Sequence, residues 1–532
     1  MPQKHQVVRS LTWSAPYLII SVLVGFLLAV IDGKRGWVGG WLAYSLLLLG
    51  CLLLLAGSLG GQKAERKVSW LVWGAFGLRL ALGTALMALL PVFGYADSDA
   101  SQAGYLYEDA WVRDTSAWQL HRSGQSLTAA FEGSNVRDQY GGMLAFSAAT
   151  YRLLSPNYHR PLLVLIWLAM AGAMAVLFLW RTLRDWLPED PSGAVAWLAA
   201  LIFALYPEAV LLGSSHMRES VVLLGITLVF FAFTRLSLQR STWILWYALG
   251  IMILLIFQVP MAFVVVVVTI GLWLLDAHRL FSWRNLAWFG GMALAAGFGA
   301  VLTWRSLPSL AQGHPMQVAL DWLRYNFGFQ THLSERASGM LQSLLNLAGE
   351  RLTLPVILVY GVAQPVLPAT LIDPAARLWR VLNTLRAAGW YILLPMLGYA
   401  CLVSLTPAAQ TRRWQRIWLG LGCLVWILVA AANAGGDQWD NPRYRTLFLP
   451  WMAFLAAWGW QWARQKRDPW LWRLGALAGI FVFLFLEWYI SRYSSAFPHL
   501  GLSVMIGLTA ASCLLFLAGC LVWDWLKRKK HV

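Results

Sequence analysis

Charge is scarce in this chain. Only 12 % of its 532 residues are Asp, Glu, Lys or Arg, and 24 of them are acids. A soluble protein of this length needs far more polar surface than that. Cysteine is scarce too. Cys51, Cys401, Cys423, Cys513 and Cys520 all fall inside apolar runs. Their spacing fits neither a disulfide framework nor a metal-ligand set. No small-residue cleavage site follows the first apolar run, residues 11–31, which is long enough to span a bilayer. No convincing internal repeat is found, which weakens inverted-repeat transporter readings. No segment outside the apolar runs has the length and composition for a soluble core.

What is present is hydrophobic residue, 59 % of the chain, with mean hydropathy +0.59. The runs are long and continuous, as membrane helices require, and not short and alternating as in a barrel. Spans are expected near 11–31, 37–58, 70–90, 161–180, 194–207, 219–234, 243–258, 260–275, 286–304, 389–405, 415–432, 447–463, 470–490 and 501–523. The expected fold class is therefore an all-α polytopic membrane protein of about 14 transmembrane helices. The run 355–372 carries Pro365 and Pro368 and reads as a re-entrant or surface-lying element. Many of the 33 tryptophans, such as Trp37, Trp70, Trp243 and Trp470, sit at the ends of runs as interfacial anchors. Glycines 290, 291, 297 and 299 suggest close helix packing.

The net charge of +17 comes from short basic clusters between runs, at 62–67, 181–184, 464–467 and 527–530. That is the positive-inside pattern, and it argues against a nucleic-acid partner. With both termini inside, the segments 95–160, 206–219, 305–354 and 433–446 lie outside the cytoplasm. The 305–354 loop includes an amphipathic stretch, 316–327, suited to the bilayer surface. Residues 95–160 hold seven of the chain's acids, Asp97, Asp99, Glu108, Asp109, Asp114, Glu132 and Asp138. Carboxylates at a membrane edge are costly and usually functional. Arg79, inside a run, reads as structural.

Four constellations carry candidate chemistry. The first is Glu108 and Asp109 with Asp114 and, eight positions after Asp109, Ala117. The second runs from Tyr206, Pro207 and Glu208 to His216, Arg218 and Glu219. The third is Arg443, Tyr444 and Arg445, before a late run. The fourth is Asp138, Tyr140, Gly141 and Gly142, leading to Arg160. In order and sidedness these resemble the GT-C-type glycosyltransferases that use polyprenyl-phosphate donors, the superfamily of protein O-mannosyltransferases and aminoarabinose transferases. The resemblance covers roughly residues 68–460. It departs from the family pattern in two places. The acidic neighbour Glu108 precedes Asp109, with Ala110 following, and glycines stand where the family often has prolines.

The resemblance implies a GT-C-like catalytic core over 68–463 with extracytoplasmic loop helices, two additional helices in 1–67, and C-terminal helices with a basic tail in 464–532. It implies transfer of a sugar, with inversion at C1, to an extracytoplasmic glycan, lipid or protein acceptor. The setting would be a prokaryotic cytoplasmic membrane. A carboxylate is needed to take the acceptor's proton, and Asp109 or Glu108 fills that role. Glu219 is the second catalytic acid, binding acceptor or metal. Guanidinium groups suit a departing lipid phosphate, and Arg443 and Arg445 are the expected ligands, with Arg218 a further one. Asp114, Asp138, Tyr140, His216 and Tyr444 are expected at the substrate. No metal-ligand set is discernible, although some relatives use a divalent ion. A flippase of lipid-linked saccharides, a polysaccharide polymerase or ligase, and a non-catalytic scaffold are the rival readings.

Overall fold

The computed structural model describes residues 2–131, 140–276, 290, 339–407, 411–434, 436–495 and 497–529. Among the described residues there are helices and turns and no β-strand. The chain divides into two compact units, Met1–Gln312 and Gly313–Val532.

The first unit contains α1 (Pro2–Asp32), α2 (Trp37–Gly61), α3 (Arg66–Phe93), the one-turn α4 (Asp99–Gln102), α5 (Glu108–Arg122) and α6 (Gly142–Leu154). It continues with α7 (Leu162–Trp186), α8 (Ala194–Leu205), α9 (Pro207–Gly213), α10 (Glu219–Ser237), α11 (Trp243–Phe257) and α12 (Val259–Leu275). Helix α7 is apolar all round and buried along nearly its whole length. Such a helix belongs at the centre of a bundle, and α2, α3, α8 and α10 pack around it. Helices α10 and α11 approach closely at Gly225 and Gly250, where a Cβ on Gly250 would lie 2.9 Å from the Gly225 carbonyl. Small residues let membrane helices come together in this way.

Polar ties close both ends of this unit. At one end Arg160, just before α7, pairs with Asp32 and donates to the Arg35 and Gly36 carbonyls at 3.0 and 3.1 Å. The α1–α2 hairpin is thereby fixed to the start of α7. At the other end Arg181 of α7 donates to the Gln62 carbonyl at 3.3 Å, and Arg184 lies 3.7 Å from Glu65.

Helices α8 and α9 are two pieces of one apolar run, bent by 58° at Tyr206–Pro207. Proline has no N–H to continue the ladder and its ring clashes with the preceding turn. The break frees carbonyls at the end of α8. Arg79 of α3 takes one of them, donating from Nη1 to Ala204 at 3.2 Å and to Ala75 of its own helix at 3.1 Å. Its side chain is 1 % exposed. Gly172 and Gly213 make room for it, since a Cβ on either would come within 2.7 Å of Arg79 atoms.

The second unit contains α13 (Gly339–Ala348), α14 (Thr353–Ala363), α15 (Leu367–Ile372), α16 (Arg377–Leu405), α17 (Arg413–Ala434) and α18 (Asp440–Thr446). It ends with α19 (Leu449–Lys466), α20 (Trp470–Ser491) and α21 (Leu502–Lys529). Helices α14 and α15 are separate elements, divided at the cis Gln364–Pro365 bond. Carbonyls at the end of α14 are capped from α16, by Trp390 Nε1 on Val362 at 2.7 Å and Tyr391 Oη on Ala363 at 3.2 Å. Arg473 of α20 forks onto Asp524 of α21 at 2.6 and 2.7 Å.

Nine described helices are long and apolar enough to cross a membrane, α1 to α3, α7, α10, α16, α17, α20 and α21. They fit an integral membrane protein and fall on nine of the fourteen expected spans. The other five differ. The 194–207 run is the bent pair, 243–258 and 260–275 are helices of 15 and 17 residues, and 447–463 is a helix that is not apolar enough by the same measure. The run 286–304 lies outside the described residues except for Gly290. The amphipathic stretch 316–327, Asp138 and Gly291, Gly297 and Gly299 also lie outside them.

Candidate functional site

In the first unit the polar segment between α3 and α7 folds over the turn that joins α9 to α10. Helix α5 opens with Glu108 and Asp109 in its first turn. Acids there complement the helix N-terminus. Both are exposed, whereas Ala117, two turns on, is fully buried. One turn after Asp109, Arg113 is buried and points at the 216–217 backbone, with Nη1 3.5 Å from the His216 carbonyl and 3.9 Å from Met217 Sδ.

Asp114 is the polar centre of this region and is 2 % exposed. Tyr105 Oη donates to Oδ2 and Tyr151 Oη to Oδ1, each at 2.6 Å, and His159 Nε2 lies 2.8 Å from Oδ2. Burial alone would raise its pKa. The His159 hydrogen bond, the neighbouring His216 and the Tyr105 hydroxyl outweigh burial and hold the carboxyl well below the usual carboxylate range. An ionised carboxylate only accepts hydrogen bonds, so the His159 Nε2 carries the proton between them. Burial and the Asp114 charge push both tyrosines well above their ordinary value, so they remain O–H donors.

Around this centre the rings stack. Trp118 lies against His159 with centroids 5.2 Å apart, and Tyr151 meets the same imidazole edge-on at 5.0 Å. Tyr105 packs on His216 at 5.1 Å. His216 Nε2 donates to the Pro161 carbonyl at 2.8 Å, and burial lowers the pKa of its ring. Glu208, fully buried on α9, accepts from Tyr107 Oη at 3.3 Å. Arg218 stacks over the Tyr140 ring at 4.7 Å, and Glu219, the first residue of α10, is 2 % exposed.

The structure therefore brings Asp114, Tyr140, His216, Arg218 and Glu219 to one region of the first unit, with Glu108 and Asp109 on its exposed flank. The sequence places Asp114 among substrate-binding groups, yet its oxygens are occupied by three side chains of the chain itself. It reads as the anchor of the region. Sequence reasoning did not single out Tyr105, Tyr151, His159 or Arg113. Only the placement of His159 beside Arg160, directly before a span, was a local signal for any of them.

In the second unit Arg443, Tyr444 and Arg445 lie on the short α18. Arg443 donates to Asp440 at 3.1 Å and is 3 % exposed. Arg445 is 1 % exposed and its guanidinium lies 3.6 Å from the centroid of Trp390. Asn441 Nδ2 donates to the Gly361 carbonyl at 2.8 Å and Trp426 Nε1 to the Tyr444 carbonyl at 2.9 Å, which locks α18 between α14 and α17. Arg386 stacks on Trp439 at 4.0 Å beside it. Two cations are thus seated on aromatic faces, an attraction worth about 2 kcal/mol or more where water is excluded.

Among the described residues no group of three or more His, Cys, Asp or Glu is arranged to hold a metal ion. No known protein family matches this chain, and no curated protein is detectably similar to it.

Proposed function

We propose that the protein is an integral membrane glycosyltransferase that moves a sugar from a polyprenyl-phosphate carrier to an extracytoplasmic acceptor. One observation supports this above the rest. A tightly hydrogen-bonded polar core around Asp114 and His216 stands at one end of a lipid-type helical bundle, with two exposed carboxylates, Glu108 and Asp109, on its flank. A channel or scaffold does not need accessible carboxylates on so rigid a support. A transferase does, because a hydroxyl acceptor must lose its proton as it attacks.

In this reading the acceptor oxygen attacks C1 of the sugar while Asp109, or its neighbour Glu108, takes the proton. The bond from C1 to the phosphate oxygen breaks on the opposite face, and the lipid phosphate leaves as an anion that needs no proton of its own. Inversion at C1 follows from that single displacement. Glu219 holds acceptor hydroxyls, and Arg218 and Tyr140 line the sugar path. Arg443 and Arg445 of the second unit are proposed to bind lipid phosphate, a task for which guanidinium forks are suited.

Turnover of a panel of polyprenyl-linked sugars by the purified chain, followed by mass spectrometry of carrier and product, tests the reading. A new glycosidic bond is expected. Relocation of an unchanged lipid-linked saccharide across a bilayer would identify a flippase instead. Asp109→Asn is expected to lower turnover about 10²- to 10⁴-fold, the usual worth of a positioned base. Unchanged turnover in that variant would remove Asp109 from the chemistry and leave Glu108 as the base.

A further inference from the structure

Away from this polar region, a cavity of about 1180 Å³ opens between α1, α2 and α3. It exceeds the roughly 300–1,000 Å³ typical of small-molecule sites. Its walls are almost wholly apolar and include Ile20, Val24, Leu48, Leu52, Phe76 and Leu80. Four hydroxyls line it, and those of Ser21, Ser69 and Thr84 are turned back onto their own helices. Ser21 donates to Leu18, Ser69 to Glu65 and Thr84 to Leu80, at 2.8, 3.2 and 2.8 Å. The protons of these three are spent on the backbone and are not offered to a polar occupant. The groove follows α3 from Arg66 to Ala88. At 1.5 Å per residue that is about 33 Å, close to the thickness of a bilayer's hydrocarbon.

One end is different. Arg66 lines the groove there and is exposed, and among the described residues no carboxylate pairs with it. The adjacent acid, Glu65, is engaged by Lys67 at 3.1 Å and by Arg184. Beside Arg66, Trp70 is exposed and Trp73 stacks on Tyr17 at 5.8 Å. Aromatic rings next to an exposed cation at the end of an apolar trough match the chemistry of a lipid's headgroup level. Halfway along the trough stands Gly77, and a Cβ there would meet no protein atom within 4 Å. The space over it is left open by the fold.

We infer that this groove is a binding site for one anionic glycerophospholipid, its phosphate on Arg66 and an acyl chain along α3 past Trp73 and Gly77. The site is separate from the polar region around Asp114, and the inference does not rest on the transferase reading. It gives α1 and α2 a function of their own, forming with α3 a seat for membrane lipid.

The test is native mass spectrometry of the full chain in detergent, titrated with phosphatidylglycerol or phosphatidylcholine of the same acyl composition. Wild type is expected to retain phosphatidylglycerol about fivefold better, the factor equivalent to about 1 kcal/mol for one basic residue at a lipid surface. Arg66→Gln is expected to reduce that preference severalfold, and an unchanged preference overturns the inference. Gly77→Leu is expected to remove the bound lipid altogether. It fills open space and replaces a helix-weakening residue with a good helix former, so the fold is kept. A photo-activatable phosphatidylglycerol is expected to label α1 and α3 peptides in wild type and not in Gly77→Leu. Equal retention of the two lipids by wild type, or undiminished labelling of Gly77→Leu, overturns the inference.

Discussion

His216 shows how a single buried base translates into a pH response. Burial holds its ring below the ordinary histidine value. The unfolded chain therefore binds a proton near pH 6.5 that the folded chain resists. The stability this group contributes is present above that value and is lost as pH falls. Thermal unfolding of the purified protein is expected to show a falling midpoint between pH 7 and 5, and a flatter profile in His216→Gln. Asp114 acts in the same direction at lower pH. Its carboxyl is held below the usual range, so its contribution is present above the unfolded value near 3.9 and fades as pH drops through the folded one. Asp114→Asn leaves His159 and two tyrosines facing an amide that accepts less well. A loss of about 1–3 kcal/mol in unfolding free energy at pH 7 is expected, the cost of a mismatched buried hydrogen bond. At this scale the sequence was only partly readable. His216, Arg218 and Glu219 announce themselves as polar residues at the rim of an apolar run. Tyr105, Tyr151 and His159 do not, because what defines them is a carboxylate 9, 37 and 45 residues distant in the chain.

Helices carry their own lesson in the α8–α9 pair. Its composition is that of one crossing, and hydropathy alone reads it so. Pro207 marks the boundary in the sequence, but the partner of the carbonyl freed at the 58° bend, Arg79, arrives from α3 and is invisible locally. The glycines that admit Arg79 are equally tertiary in meaning. Gly213→Ala would place a Cβ 2.6 Å from Arg79 Cδ, and the guanidinium beyond it is enclosed. Overpacking of that kind costs about 1–3 kcal/mol, and a lower unfolding midpoint in detergent is the expected readout. Gly50→Ala on α2 meets no neighbour and is the matched control, expected to be neutral or stabilising. Runs with few polar residues and no internal proline break, such as 37–58 and 161–180, were legible because length and composition decide them. The helices over 243–257 and 259–275 were harder, since the Gln258–Val259 junction divides two apolar stretches whose combined length reads as two crossings.

For the whole molecule, the distribution of charge makes a claim about sidedness. In the first unit, basic residues near Gln62 and Arg181 gather at one end, and the acid-bearing segment stands at the other. Under the positive-inside bias we propose that the first end faces the cytoplasm. A cysteine placed at Gln125, which is exposed, is expected to react with a membrane-impermeant maleimide in intact cells. One placed at Lys67 is expected to react only after permeabilisation. Reaction of both from the same side would invert or abolish the proposed orientation.

The Arg79 contact has a consequence for motion. Straightening α8 into α9 would return the Ala204 oxygen to its own helix and leave a cation in greasy surroundings with one fewer oxygen to lean on. Neither change is tolerable without the other being undone. The contact therefore favours the bent form over the straight one, and Glu208 stands in the first turn beyond it.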